Sequence, residues 1–400
     1  CLPTAPNRRQ TLALLAGTAA LPLWAQTSDV WTGVLARARG QTVYFNAWAG
    51  SERINAYLRW AGEQIHQQFG VRLEHVKITE TAEVVKRVRA EKTAGKRDGT
   101  VDLVWINGEN FLTMKREGLL FGPFAEQLPN FRYVDVTGKP TTRVDFSEPV
   151  DGLEAPWGMA QLTFFADRKR VPTPPRDMAG MLEFARANPG RITYPRLPDF
   201  HGTSFVKQAL VELNPDRAPL YRAVTPQSLA SASAPLWTYL DALHPHLWRT
   251  GRQFPQNAAA IRQMMSDGEL LIALTFNPNE AANEIAAKRL ADSIYSFQFS
   301  SGTIGNTHFL AIPMNARARD GAQVVANFLL SPLAQARKSD IAFWGDPSVL
   351  ALDKLTASDR ARFGAGTMPG QVEQAAPTIL EPHGSWVDAL EKEWLRRYGG

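Results

Sequence analysis

Three tryptophans, Trp48, Trp105 and Trp157, stand in or beside the ends of strand-like runs, among amides, hydroxyls and a carboxylate. Indole faces attract flat or cationic solutes, while amide and hydroxyl groups fix their orientation. The densest set is Val101-Asp102-Leu103-Val104-Trp105-Ile106-Asn107-Gly108-Glu109-Asn110-Phe111, an apolar strand that feeds a polar turn opening a helix. α/β proteins hold small ligands at such strand ends. The same plan occurs earlier, where the run over 42–47 gives way to Trp48-Ala49-Gly50-Ser51. Glu109 suits a cation, with Asn107 and Asn110 supplying amides; it equally fits a first-turn glutamate complementing a helix dipole. Core packing suits Trp105 as well as stacking does, whereas Trp48 and Trp157 follow a strand and an irregular crossing and are expected to face a ligand.

A second set lies further on. His201-Gly202-Thr203-Ser204 places free backbone N–H groups at a helix start, where an anion such as phosphate could sit, or where Thr203 or Ser204 merely caps. Asn277 and Asn279 open a later helix, and Asn306 precedes a strand where it serves a hinge as readily as a ligand. Motifs of catalysis are missing: no Gly-x-Ser-x-Gly elbow, no Gly-x-x-x-x-Gly-Lys phosphate loop and no His-Glu-x-x-His metal pair. His244 and His246 flank Pro245 without an evident third ligand, so a solvated loop pair is expected. No cofactor, no metal and no enzymatic activity are inferred.

Alternating elements must position these groups. Ser51 is expected to cap a helix in which Ile54, Leu58, Ala61, Ile65 and Phe69 recur at helical spacing until Gly70 stops it. A strand over 71–78, a helix over 81–92 with Val84, Val85 and Val88 inward, a strand over 100–106 and a helix over 109–117 capped by Asn107 follow. This order implies a mostly parallel sheet with helices on both faces. The Pro- and Gly-rich stretch 121–156 reads as a crossing between lobes. Beyond it come a strand at 191–194, a helix carrying Val206, Ala209, Leu210 and Leu213, a strand at 270–276, a returning strand at 307–312 and helices at 322–330, after Ser331-Pro332, and at 386–398.

At 400 residues, with 44% hydrophobic and 21% charged residues, the chain is long enough for two cores and too apolar for disorder. The net charge of +5 is scattered, which excludes a nucleic-acid-binding stripe. Arg8-Arg9, an apolar run over 12–23 and Leu23-Trp24-Ala25 read as an export signal cleaved near Ala25, with the twin-arginine route open. The single cysteine, Cys1, lies upstream of that run and is no lipid anchor, and the later apolar runs are too short to span a bilayer.

Residues 48–55, 101–111, 152–161, 194–205, 302–313, 327–338 and 381–398 together resemble the exported solute-binding proteins of ABC importers, in the branch of thiamine-type substrate-binding proteins related to thiamine, iron and polyamine binders. The resemblance spans nearly all of the mature chain. It implies an α/β, type II periplasmic-binding fold: residues 26–150 and 301–335 in one lobe, 151–300 in the other, and 336–400 packing across both. It also implies a periplasmic receptor, taken to be a monomer, that closes about a small-molecule ligand and delivers it to an inner-membrane ABC permease with a separate ATPase subunit. The ligand residues would be Trp48, Ser51, Trp105, Asn107, Glu109, Asn110, Trp157, His201, Thr203, Asn277 and Asn306, around thiamine or a similar cationic or aromatic compound. A polyamine, an organic phosphate or a metal chelate remains an alternative. An exported hydrolase using His201 is the other rival. The family's iron binders use adjacent tyrosines, and this chain has no Tyr-Tyr pair.

Overall fold

The computed structural model describes residues 23–364 and 368–399. The strands are β1 (Thr42–Trp48), β2 (Arg72–Ile78), β3 (Leu103–Ile106), β4 (Val144–Asp145), β5 (Glu148–Pro149), β6 (Glu154–Gln161), β7 (Thr163–Asp167), β8 (Ile272–Thr275), β9 (Ile294–Phe297), β10 (Thr303–Ala311) and β11 (Thr378–Leu380). The first sheet has the order β11-β10-β3-β1-β2, with β6 also paired to β10. β1, β2 and β3 are parallel, while β10 runs antiparallel to both β3 and β6.

Side chains alternate between the faces of this sheet, and so does the core. Leu103 and Leu310 join one cluster with Phe45, Leu58 and Val325; Val104, Ile106, Phe309 and Ala311 join another with Val84, Val88 and Phe111. Ile54, Leu58, Ala61 and Ile65 are all buried along the helix Glu52–Phe69, and Gly70 ends it at φ 68°, a left-handed conformation that costs glycine least.

β6 leads directly into β7, and β10 follows β9, so these strands carry the chain between two bodies. The second sheet, β8-β7-β9, is antiparallel throughout. β7 runs away from the crossing, so neighbours leading back to it must oppose it. Its core joins Phe164, Tyr194, Leu210, Leu240, Leu274 and Phe299 to Trp386 and Trp394 of the last helix, Ser385–Tyr398.

Two expectations are corrected. The stretch 121–156 is mostly no crossing: Phe124, Ala125, Leu128 and Val134 pack into the first core. Residues 191–194 form no ladder, because Arg191 and Ile192 each give one carbonyl to a single backbone N–H, those of Leu271 and Trp248. Residues 23–38 form one helix, which includes Ala25. The leader assigned to residues 1–25 otherwise lies outside the described residues. None of the described helices is long and apolar enough to cross a membrane.

Candidate ligand-binding cleft

β1 and β3 end at Trp48 and Ile106 on the side where β10 begins, so the loops after them face the second body. From that body come the helix Phe200–Leu213 and the turn after β8. Two observations bring the faces together. Burial pushes the Glu80 carboxyl up and the charge of Asp199 opposite pushes it further. Arg53, in the first turn after Ser51, donates to the carbonyls of Ile341, Ala342 and Phe343 at 3.2, 3.2 and 3.4 Å and to Asn283 of the second body at 3.0 Å.

The expected residues fare differently. Trp48 is 41% exposed at the tip of β1. Its ring lies over Gly50, where an added Cβ would come within 2.2 Å of it, so a side chain there would push the indole aside. Ser51 and Asn107 hold the extended backbone of helix caps, but neither side chain makes a capping bond. Gly108 N–H, at the start of the second of these helices, donates instead to Asp145 at 2.7 Å. Half-buried Trp105 sits edge-on to Trp157 at 5.0 Å and 5.0 Å from the His308 ring. Trp157 is wholly buried among Phe45, Trp105, Trp344 and His308, so the expectation that it faces a ligand from a loop is corrected to a place in β6 and the core. The alternating pleat turns it inward.

The helix N-terminus at His201 is not free either. Asp199 accepts from the N–H groups of His201 and Gly202 at 2.9 and 3.3 Å, while the Thr203 hydroxyl donates to Glu391 at 2.7 Å. The site read as an anion cradle carries its own carboxylate. Asn277 accepts from Asn279 N–H at 3.0 Å, and Asn279 donates onward to Gly345 O at 2.6 Å. Asn306 is buried in β10 and donates to Glu381 at 3.0 Å.

Glu109 and Asn110 pair at 2.9 Å beside a charge cluster that sequence reasoning missed. Lys207, one turn along the helix from Thr203, is 1% exposed; its Nζ lies 2.7 Å from Glu381 and 4.3 Å from the Phe146 ring. Burial pushes Glu109 up and Asp145 well above the usual carboxylate range. Burial also raises Glu391 to about 7, with Glu109 and Asp388 adding to it. A lysine beside the apolar series Val206, Ala209 and Leu210 was the available signal. Two cavities lie elsewhere: one of about 760 Å³ beside Met159, Gln161 and Pro278, and one of about 430 Å³ around Arg168 and Tyr295. Neither is lined by Trp48, Glu109 or His201.

His244 is buried, against the expectation of a solvated pair. Its Nε2 accepts from the Tyr194 hydroxyl at 2.7 Å, which itself accepts from Trp394 Nε1 at 2.8 Å. Burial holds it down to about 4. A histidine depressed in the fold contributes stability above its unfolded value near 6.5, lost as pH falls toward the folded one. A loss of about 3 kcal/mol between roughly pH 6.5 and 4 is therefore expected from this residue. His244→Phe should flatten that part of the profile in urea melts; an unchanged profile would refute the assignment. Among the described residues no cluster of His, Cys, Asp and Glu is arranged to hold a metal ion.

Two α/β bodies joined by crossing strands, with ligand-type groups at the facing strand ends, define a cleft-type binding protein. The chain belongs to the family of bacterial extracellular solute-binding proteins, whose profile matches residues 60–356. It is 50% identical over 370 residues to Protein YnjB of Escherichia coli (strain K12), covering 92% of this chain and 94% of that protein. Among solved structures it is similar to the TpPotD lipoprotein of Treponema pallidum (TM-score 0.64, 17% identity, covering 89% of this chain and 99% of that one). It is also similar to the spermidine/putrescine ABC transporter substrate-binding protein PotD of Streptococcus pneumoniae (TM-score 0.62, 13%, covering 90% and 98%). A third is the periplasmic binding protein AfuA of Actinobacillus pleuropneumoniae, with fructose-6-phosphate bound (TM-score 0.61, 14%, covering 90% and 99%). The fold is the type II periplasmic-binding fold, and the chain is a binding protein, not an enzyme.

Proposed function

We propose that this chain is the receptor of an ABC importer for a small organic cation, gripped between Trp48, Glu80 and Glu109 on one lobe and Asp199 and Phe200 on the other. The observation that carries the reading is Asp199. It closes the second lobe's helix start with a carboxylate where a phosphate receptor would leave N–H groups free, and its field reaches Glu80 across the cleft. The exposed indole of Trp48 and the 39% exposed ring of Phe200 add faces for a cation. Thiamine, or another flat cation, is the finer assignment that these rings support.

Closure would follow from a ligand contacting both lobes, since it stabilises the state it binds better. With the receptor role go a periplasmic location, a leader cleaved near Ala25, a monomeric state, an inner-membrane permease with its own ATPase, and lobes at 26–150 with 301–335 and at 151–300, spanned by 336–400. Thermal melting of ligand-stripped protein against thiamine, its phosphates, polyamines, ferric chelates and organic phosphates tests the ligand class. A ligand at a hundred times its Kd stabilises the fold by about 2.7 kcal/mol. Cations should raise the melting temperature and Trp48→Ala should weaken them about tenfold. A shift confined to phosphates would overturn the cation assignment and leave the receptor role in place.

A further inference from the structure

We propose that the carboxylates at the junction of the lobes, Glu109, Asp145 and Glu391, form a subsite for a protonated amine whose N–H groups they accept. The inference rests on the cation reading above and narrows it. Four elements supply the groups: Glu109 begins a first-lobe helix, Asp145 ends β4, Glu381 follows β11, and Glu391 rides on the last helix. Their charges are felt by one another, Glu109 by Asp145 and by Glu391, and Glu381 by both Glu109 and Asp145. One buried cation, Lys207, serves all of them and is spent on Glu381 at 2.7 Å. Ionising them all would leave negative charge in excess where water is scarce, and an uncompensated buried carboxylate is costly.

A second observation points to the missing partner. Asp145 is 1% exposed; one of its oxygens takes Gly108 N–H at 2.7 Å and the other has no donor. Buried carboxylate oxygens are ordinarily satisfied, and this one lies in the field of Glu109 and Glu381. Its need is for an N–H or O–H donor, which a quaternary nitrogen lacks. An ammonium carries three such donors and a full charge. The strained turn beside it fits a site held in place by its surroundings. Phe146 and Ser147 are non-glycine residues at φ 42° and 64°, kept there by Ser147 Oγ on Glu381 O at 2.8 Å and by Gly384 N–H on Phe146 O at 3.2 Å. Within the cation class, an aliphatic amine therefore fits better than a quaternary heterocycle.

Proton linkage follows. The groups facing the subsite are Lys207 on the second-lobe helix, Asp388 and Glu391 on the last helix, Glu381 just after β11, and buried Glu154 on β6, which feels the charge of Asp145. Burial keeps Glu109, Asp145 and Glu391 protonated more readily than usual in the empty protein, and an arriving ammonium must displace their protons, so binding strengthens as pH rises.

The test is calorimetric titration of the mature protein with diammonium ions of two to five methylenes and with their fully N-methylated counterparts, which keep charge and spacing but have no N–H. The expected results are binding of a diammonium ion with proton release, affinity rising from pH 5.5 to 8, and at least about tenfold weaker binding of its methylated counterpart. Glu109→Gln and Asp145→Asn should each weaken the diammonium ion about thirtyfold or more. Glu109 is only half-buried, so its variant tests the site should Asp145→Asn not fold. Equal binding of the methylated ion, or unchanged affinity in folded Glu109→Gln, overturns the inference. If thiamine or a methylated cation binds while diammonium ions do not, the subsite falls and the cation reading survives. If only anions bind, both fall.

Discussion

Asp346→Ala is expected to lower the stability of the ligand-free protein by about 3–5 kcal/mol, seen as a fall in the urea midpoint with little change in slope. Asp346 holds a buried triad against the hinge. Lys338, with no exposed side-chain surface, pairs with its carboxylate and donates to the carbonyls of Asp346 and Pro347 at 3.1 and 3.0 Å. His308 Nε2, on β10, lies 3.0 Å from the same carboxylate. Truncating Asp346 leaves a buried ammonium with carbonyl partners alone, which costs far more than removing an exposed pair.

The pH dependence carries a sign that can be checked. Burial raises the Asp346 carboxyl, but His308 and Lys338 outweigh it and the net lies below the usual range. A depressed carboxylate contributes stability above its unfolded value near 3.9, lost as pH falls through the folded one. Burial lowers Lys338, so its charged form is a liability that eases as pH climbs toward about 10.5. Wild type should thus lose more stability than Asp346→Ala as pH falls below about 4, and Asp346→Ala should recover on the alkaline side. Pairing Asp346→Ala with Lys338→Met should restore part of the loss, because an apolar replacement leaves no buried charge. A single-variant cost below about 1 kcal/mol would rule out the triad as a stabilising element.

How far the sequence revealed all this depended on the range of the interaction. Periodicity within one helix is local, so Ile54, Leu58, Ala61 and Ile65 were legible as an inward face, and Ser331-Pro332 as a start: Ser331 caps the helix Pro332–Ser339 through Ala334 N–H at 3.2 Å. The caps at Ser51 and Asn107 failed because a residue type licenses a bond without requiring it. Asp199 was as visible as His201 two positions on. The possible anion cradle there counted the helix's first N–H groups as free, although the acceptor for two of them stood just before them in the sequence. Trp157 was misplaced because β6 starts earlier than its irregular approach suggested, and in a strand alternate residues are turned inward. Lys207 and Glu381 meet only after the chain has crossed between lobes and returned. No pattern within either segment records that.

That same pair gives the other large expected effect. Lys207→Met should destabilise the protein by about 3–5 kcal/mol, since it deprives Glu381 of its only ion-pair partner among the described residues, at 2% and 1% side-chain exposure, and takes the buried cation away from a concentration of buried carboxyls. The effect should shrink as pH falls, because protonating the carboxyls removes the charge that Lys207 balances. Two controls separate this from packing. Lys207→Arg keeps the charge but carries a planar fork into a space shaped for a point charge 4.3 Å from Phe146, so only partial rescue is expected. Lys207→Met with Glu381→Gln should recover most of the loss, since the amide can still accept from Asn306, now 3.0 Å from Glu381, without a buried charge. If the double variant is as unstable as Lys207→Met alone at every pH, the lysine acts through the bulk of its stem and not its charge, and the junction of the lobes is apolar packing with carboxyls at its edge. If the double variant recovers, the two lobes are joined by a charge balance in which Lys207 stands as internal counter-ion, and a cationic solute entering beside it adds to a balance already built into the fold.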